Sequence, residues 1–156
     1  MIHKIISGGQ TGVDRAALDF AIANGVGHGG YCPRGRRAED GIIPERYKLQ
    51  TTKSEQYIKR THKNIDESDG TLILYKGKII GGTLATMAYS KRTNTPLFEI
   101  NLLDYARMTR ESFTDWIIDN KIASINIAGP RQSETKIYRE AITCLEYLLT
   151  PLFCDE

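Results

Sequence analysis

Two short runs, Thr71-Leu72-Ile73-Leu74-Tyr75 and Ile122-Ala123-Ser124-Ile125-Asn126-Ile127-Ala128, are largely apolar at successive positions rather than at alternate ones. A strand that reads this way has both faces covered, which is the condition of a strand inside a parallel sheet packed between helices. The remaining chain fits that condition. Strands are expected at about 3–7, 27–32, 70–75, 96–101 and 122–128, with helices at about 13–24, 54–67, 82–93 and 109–120 and a last one near 134–149. In that last helix Ile137, Ala141, Cys144, Leu145 and Leu148 form one apolar stripe, which places Cys144 in the core. Gly25 suits a left-handed helix end, and Pro96 pre-sets the strand that follows the third helix. Alternating strands and helices imply right-handed crossovers and a three-layer α/β sandwich. Residues 1–156 read as one domain, with a single long irregular segment from Pro33 to about Thr52.

Composition narrows the function classes. With 40% apolar and 26% charged residues the chain is an ordinary globular sequence, and no stretch approaches the ~20 apolar residues of a membrane span. Three scattered cysteines, Cys32, Cys144 and Cys154, make no disulfide framework, so the cytoplasm is the expected compartment. His3, His28 and His62 lack metal-ligand spacing, so no metal site is expected. The net charge of +2 hides an uneven distribution: residues 1–64 hold 11 Lys/Arg against 6 Asp/Glu. This surplus favours a small anionic ligand in the first half and is too modest to indicate nucleic acid.

Function is expected where the strand ends face one crevice. Ser7-Gly8-Gly9-Gln10-Thr11-Gly12-Val13-Asp14-Arg15 leads from the first strand into the first helix, and such a turn can leave backbone N–H groups for a phosphate. Its G-G-x-x-G spacing is neither the G-x-G-x-x-G dinucleotide fingerprint nor a P-loop, and Asp14 stands where a P-loop lysine would be useful. The lesser alternative is that Gly8, Gly9 and Gly12 merely shape a tight βα turn. Gly81-Gly82-Thr83 repeats the arrangement before the third helix. Arg34, Arg36 and Arg37 in the long segment, and Arg131 after Pro130, bring guanidinium forks suited to oxyanions. Gln10, Thr11 and Ser133 could bond a heterocycle, while Glu39 and Asp40 could orient the arginines. Asp14 and Asp40 are the only acids expected near the glycine turns as general bases, so binding is favoured over catalysis and no catalytic residue is assigned.

Taken together, SGGQTGVDRAALD (7–19), GGYCPRGRRAEDG (29–41), SDGTLIL (68–74) with GGT (81–83), and NIAGPR (126–131) resemble the molybdenum carrier family. That family is part of a Rossmann-like superfamily that also includes the lysine-decarboxylase-like "lonely guy" proteins. The resemblance spans about residues 2–149. It implies a doubly wound, mainly parallel Rossmann-like sheet with helices on both faces, and a homodimer or homotetramer. It also implies binding of molybdenum cofactor (molybdopterin), a pterin bearing a phosphate. Carried over, Gly8, Gly9, Thr11 and Gly12 would line one phosphate turn and Gly81, Gly82 and Thr83 a second, with Arg34, Arg36 and Arg37 closing over the ligand. Related phosphoribohydrolases carry P-G-G-x-G-T-x-x-E. Here Ile80-Gly81-Gly82-Thr83-Leu84-Ala85-Thr86 lacks the proline and the glutamate. A nucleoside-phosphate-processing enzyme such as an N-glycosidase, or a nucleotide-sensing module, therefore ranks behind a carrier.

Overall fold

The computed structural model describes residues 1–153, excluding the side chains of Arg107 and Met108; Cys154 lies outside the described residues. In chain order the elements are β1 (Lys4–Ile6), α1 (Val13–Ala23), β2 (Gly27–Gly29), β3 (Tyr31–Cys32), β4 (Arg37–Ala38), β5 (Gly41–Ile42) and β6 (Gln50–Thr51). These are followed by α2 (Tyr57–Asp66), β7 (Gly70–Tyr75), α3 (Gly81–Arg92), β8 (Leu97–Asn101), α4 (Arg107–Asp119), β9 (Ser124–Ala128) and α5 (Tyr138–Phe153).

Five strands form one parallel sheet in the order β2-β1-β9-β7-β8. From β1 the chain steps outward to β2, then crosses back over β1 and β9 to reach β7. Right-handed crossovers in opposite directions put their helices on opposite faces. Accordingly α1 and α4 both pack on α5, while α2 packs on α3 across the sheet. The fold is a doubly wound α/β sandwich.

The two faces are filled differently. Ile5, Leu72, Leu74, Ile125 and Ile127 alternate toward Val13, Ala16, Ala17, Phe113, Leu145 and Leu148 in one continuous apolar core that includes Cys144. On the other face the buried side chains include Thr71 and Asn126 from the sheet and Thr83, Thr86 and Ser90 from α3. Small polar side chains fill less volume than leucines. The space between sheet, α2 and α3 is therefore where a cavity can persist.

Three local differences from the sequence reading have physical causes. The expected strand 27–32 divides at Gly30, whose φ of 132° and carbonyl bond from Gln50 N–H (2.9 Å) turn Tyr31 and Cys32 away to pair with β6. The long segment after Pro33 is not structureless. It carries the antiparallel pair β4–β5 and closes a small second core of Leu18, Cys32, Ile43 and Tyr47. Finally, α5 begins at Tyr138, because the Gln132 side-chain carbonyl accepts from the N–H groups of Ile137 and Tyr138 (both 3.1 Å) and caps the helix from outside.

Candidate functional site

At the carboxyl ends of β1 and β9 lies a cavity of about 150 Å³. Its walls come from the β1–α1 turn (Gly8, Gln10, Asp14), from α2 (Tyr57, Arg60, Asn64), from α3 (Gly82, Thr83, Thr86) and from the end of β9 through Arg131.

The two glycine turns that meet here are in opposite states. In the first, Gly12 precedes α1 with φ 81°, and a Cβ there would stand 2.3 Å from the Pro130 carbonyl oxygen. Its donors are already engaged: Gln10 N–H on the Asp14 carboxylate (3.3 Å), Thr11 N–H on the Gln10 side-chain oxygen (3.1 Å), Val13 N–H on the Pro130 carbonyl (3.3 Å). In the second, α3 starts after Ile80 with no side-chain cap, and nothing lies within 4 Å of the point where a Cβ on Gly82 would sit. The first N–H groups of that helix, and the positive end of its dipole, are left for an outside acceptor.

Two side chains make the same point. Thr83 is 4% exposed and Gln10 is 6% exposed, yet the Thr83 hydroxyl and the Gln10 amide nitrogen find no hydrogen-bond partner. Both line the cavity. Leaving a buried donor unpaired costs about 1–3 kcal/mol, so a ligand that accepts from both recovers energy the apo protein forgoes.

The cavity's charges are balanced. Arg60, 8% exposed, donates to the Gly8 carbonyl (2.7 Å) and lies 3.6 Å from the Asp14 carboxylate. Arg131 lies 3.3 Å from Glu134, and both guanidinium carbons stand 5.5 Å from the Tyr57 ring centre. Burial pushes the Asp14 carboxyl above its usual range, against the opposing pull of Arg60 and of the N–H groups it accepts.

The residues singled out from sequence fall into three groups. Gly8, Gln10, Gly82, Thr83 and Arg131 line this cavity. Thr11 and Gly12 face a separate groove on the far side of the turn, Gly9 packs under Ile43 and Leu49, and Gly81, at φ 57°, opens α3 near Glu134. Arg34, Arg36 and Arg37 are not brought to the cavity. Arg34 and Arg37 pair with Glu55 on the surface, and the Arg36 guanidinium donates to the carbonyls of Ile43, Pro44, Tyr47 and Leu49, tying the long segment together. Glu39 and Asp40 orient other groups than those arginines. Glu39 accepts from Thr11 and Ser133, and Asp40 holds both terminal nitrogens of Arg15 at 2.9 Å.

Tyr57, Arg60, Asn64, Thr86 and Asn126 were not singled out. A signal existed: Tyr57-Arg60-Asn64 and Thr83-Thr86-Ser90 both run i, i+3, i+7, the spacing of a core-facing stripe, but with polar residues. Two polar inner stripes packed side by side on one face of the sheet mark a polar cavity rather than a core. Among the described residues, no group of three or more His, Cys, Asp or Glu side chains is placed to hold a metal ion, and no helix is long and apolar enough to cross a membrane.

Residues 5–149 match the circularly permutated YpsA SLOG family. No curated protein matches the chain. Among solved structures, the crystal structure of a "Putative molybdenum carrier protein" from Syntrophus aciditrophicus SB is similar with a TM-score of 0.89 and 43% identity, covering 95% of each chain.

Proposed function

Because the chain belongs to the circularly permutated YpsA SLOG family, we propose that its cavity holds a phosphate-bearing small molecule and that the protein is a carrier of molybdenum cofactor. The observation that carries this reading is the uncapped start of α3 beside two buried, unpartnered donors, Thr83 and Gln10. Backbone N–H groups, a hydroxyl and an amide are the donor set of a phosphate site, and the two arginines in the walls, each paired with an acid, add no net charge to it. A volume of about 150 Å³ is small beside the ~300–1,000 Å³ of sites that enclose a whole drug-sized ligand. The cavity therefore takes the anionic head, and a polar ring would lie over the mouth along Tyr57 and Ile58. The donor set suits the phosphate and ring of such a cargo rather than its metal.

The same reading expects a cytoplasmic homodimer or homotetramer, for which Ile58, Ile80 and Leu84 offer exposed apolar surface on α2 and at the start of α3. The test is co-elution with freshly released molybdenum cofactor, counting molybdenum and pterin per chain after gel filtration. Near-stoichiometric retention of both, lost in Gly82→Asp, supports the carrier; absence of retention by the wild type refutes it. One observation favours a second reading, an enzyme acting on a nucleoside phosphate: Asp14 lines the cavity with its carboxyl pushed toward the neutral form. Release of free base from a nucleoside monophosphate, abolished in Asp14→Asn, would decide for it.

A further inference from the structure

A more cationic concavity than the glycine cavity lies nearby. On the far side of the β1–α1 turn, between α1, the Arg46-Tyr47 segment and the start of α5, lies an open groove of about 780 Å³. Five cations line it, Arg15, Arg46, Lys76, Lys136 and Arg139, against the carboxylates of Asp19 and Glu140. The glycine cavity, by contrast, sets two arginines against two acids.

The groove's acids are already neutralised. Asp19 accepts from the Tyr47 hydroxyl (2.6 Å) and from Tyr138, and Arg46 stands 3.4 Å away. Burial and the Asp19 carboxylate push the Tyr138 hydroxyl up to about 12, so it stays a neutral donor. Glu140 is matched by Lys76 at 2.8 Å, and Arg15 is matched by Asp40 outside the groove. Lys136 and Arg139 remain, exposed and with no ion-pair partner among the described residues. Lys136 lies two residues before α5 and Arg139 in its first turn, so two like charges border the same stretch of the groove with no acid paired to either. The half-buried Tyr138 supplies a partly apolar wall beside them, backed by the buried Ile137 and Tyr47.

From this juxtaposition we propose that the groove is a second ligand site, taking a small organic molecule that carries two or more phosphate groups. Lys136 and Arg139 bind the anion, Lys76 stays on Glu140 and keeps that acid neutralised, and the half-buried Tyr138 receives the organic part. The volume falls in the range that holds a drug-sized ligand. The site does not depend on what the glycine cavity binds, because the two share no lining residue.

Inorganic pyrophosphate is the probe, followed by amide chemical shifts in the 156-residue chain and by calorimetry. The expected result is saturable binding that shifts the amides of Thr11, Arg15 and Lys136–Glu140. The double variant Lys136→Glu/Arg139→Glu, at two exposed positions and with its fold checked by circular dichroism, is expected to weaken it about a hundredfold. Lys136→Gln/Arg139→Gln is expected to fall between, and Gly82→Asp to leave the shifts of the groove amides unchanged whatever it does to binding at the α3 terminus. Absence of those groove shifts at millimolar pyrophosphate, equal groove shifts in the Glu double variant, or their loss in Gly82→Asp each overturns the proposal. Failure of the cavity reading registers differently, as absence of cofactor retention by the wild type with the groove shifts intact.

Discussion

Gly82→Asp separates stability from binding with opposite signs. The position has open space around it and lies in the first turn of an uncapped helix, so the new side chain meets no steric obstacle. Replacing glycine inside a helix gains a few tenths of a kcal/mol in propensity, and a carboxylate at a helix start adds about 0.3–1 kcal/mol. At about 2–4 °C per kcal/mol for a chain of this size, Tm is expected to rise by about 1–5 °C. Binding goes the other way. A carboxylate ~4 Å from a ligand phosphate costs about 4 kcal/mol at an effective dielectric of 20, and about half that at twice the distance. Affinity for the phosphorylated pterin is expected to fall between about 30-fold and 1,000-fold. Gly82→Asn carries the same bulk without the charge and isolates the electrostatic part. The assay is equilibrium dialysis against released cofactor beside thermal denaturation of all three proteins. Equal loss of affinity in Asp and Asn would refute an anion at the α3 terminus, and unchanged affinity in Asp would refute the site altogether.

Thr83→Val removes a buried hydroxyl with no partner, so denaturant melts should show a gain of about 1 kcal/mol while cofactor retention weakens at least about tenfold. Arg36→Ala should lose about 2–4 kcal/mol of stability, since four carbonyls lose their charged donor, with cofactor stoichiometry unchanged in whatever fraction folds. Gly129→Ala forces a Cβ to 2.3 Å from the Leu74 carbonyl and 2.5 Å from Val13, and should cost about 1–3 kcal/mol or more by urea denaturation. For Asp69, burial raises the carboxyl, but the N–H groups of Ala123 and Ser124 and the Ser124 hydroxyl outweigh it and hold it below its usual 3.8. Its folded pKa is depressed, so its contribution is complete well above pH 3.8 and is lost as pH falls through the folded value. Asp69→Asn should flatten the acid side of a Tm-against-pH curve.

The sheet was legible because its strands announce burial on both faces: Thr71–Leu74 are all fully buried, as an unbroken apolar run requires. Gly25 and Cys144 were legible for equally local reasons, a left-handed helix end and a stripe of period 3.6. Side-chain reach was not. Arg36 and Arg60 are the same residue type, and no local pattern says which one folds back onto carbonyl oxygens and which one points into the cavity. That choice is made by positions remote in sequence. The Arg36 fork meets Ile43–Leu49 because Ile43 and Tyr47 bury beside Leu18, and Arg60 meets Gly8 because α2 crosses behind β1. The boundary of α5 was missed for a similar reason, since its cap comes from Gln132 rather than from a serine or threonine at the helix start.

The two glycine turns show why a motif underdetermines a site. Both pass from a strand into a helix and both present glycines where N–H groups can gather. Their difference is one carboxylate. Asp14, one residue into α1, reaches back to the Gln10 N–H and sits against Arg60. The first turn thus contains its own acceptor, held by the charge and donors that a ligand would otherwise meet. At the same depth in α3 stands Gly82, with no side chain to reach back, so that helix start remains open. The shared wall makes the two turns cooperate rather than compete. With Asp14 occupying the N–H groups of its own turn, the Gln10 amide nitrogen is left over and lines the cavity that Gly82 and Thr83 border. The cavity's selectivity for an anion therefore rests on backbone and neutral donors, with its arginines already matched by acids, and a ligand must supply good hydrogen-bond geometry as well as charge.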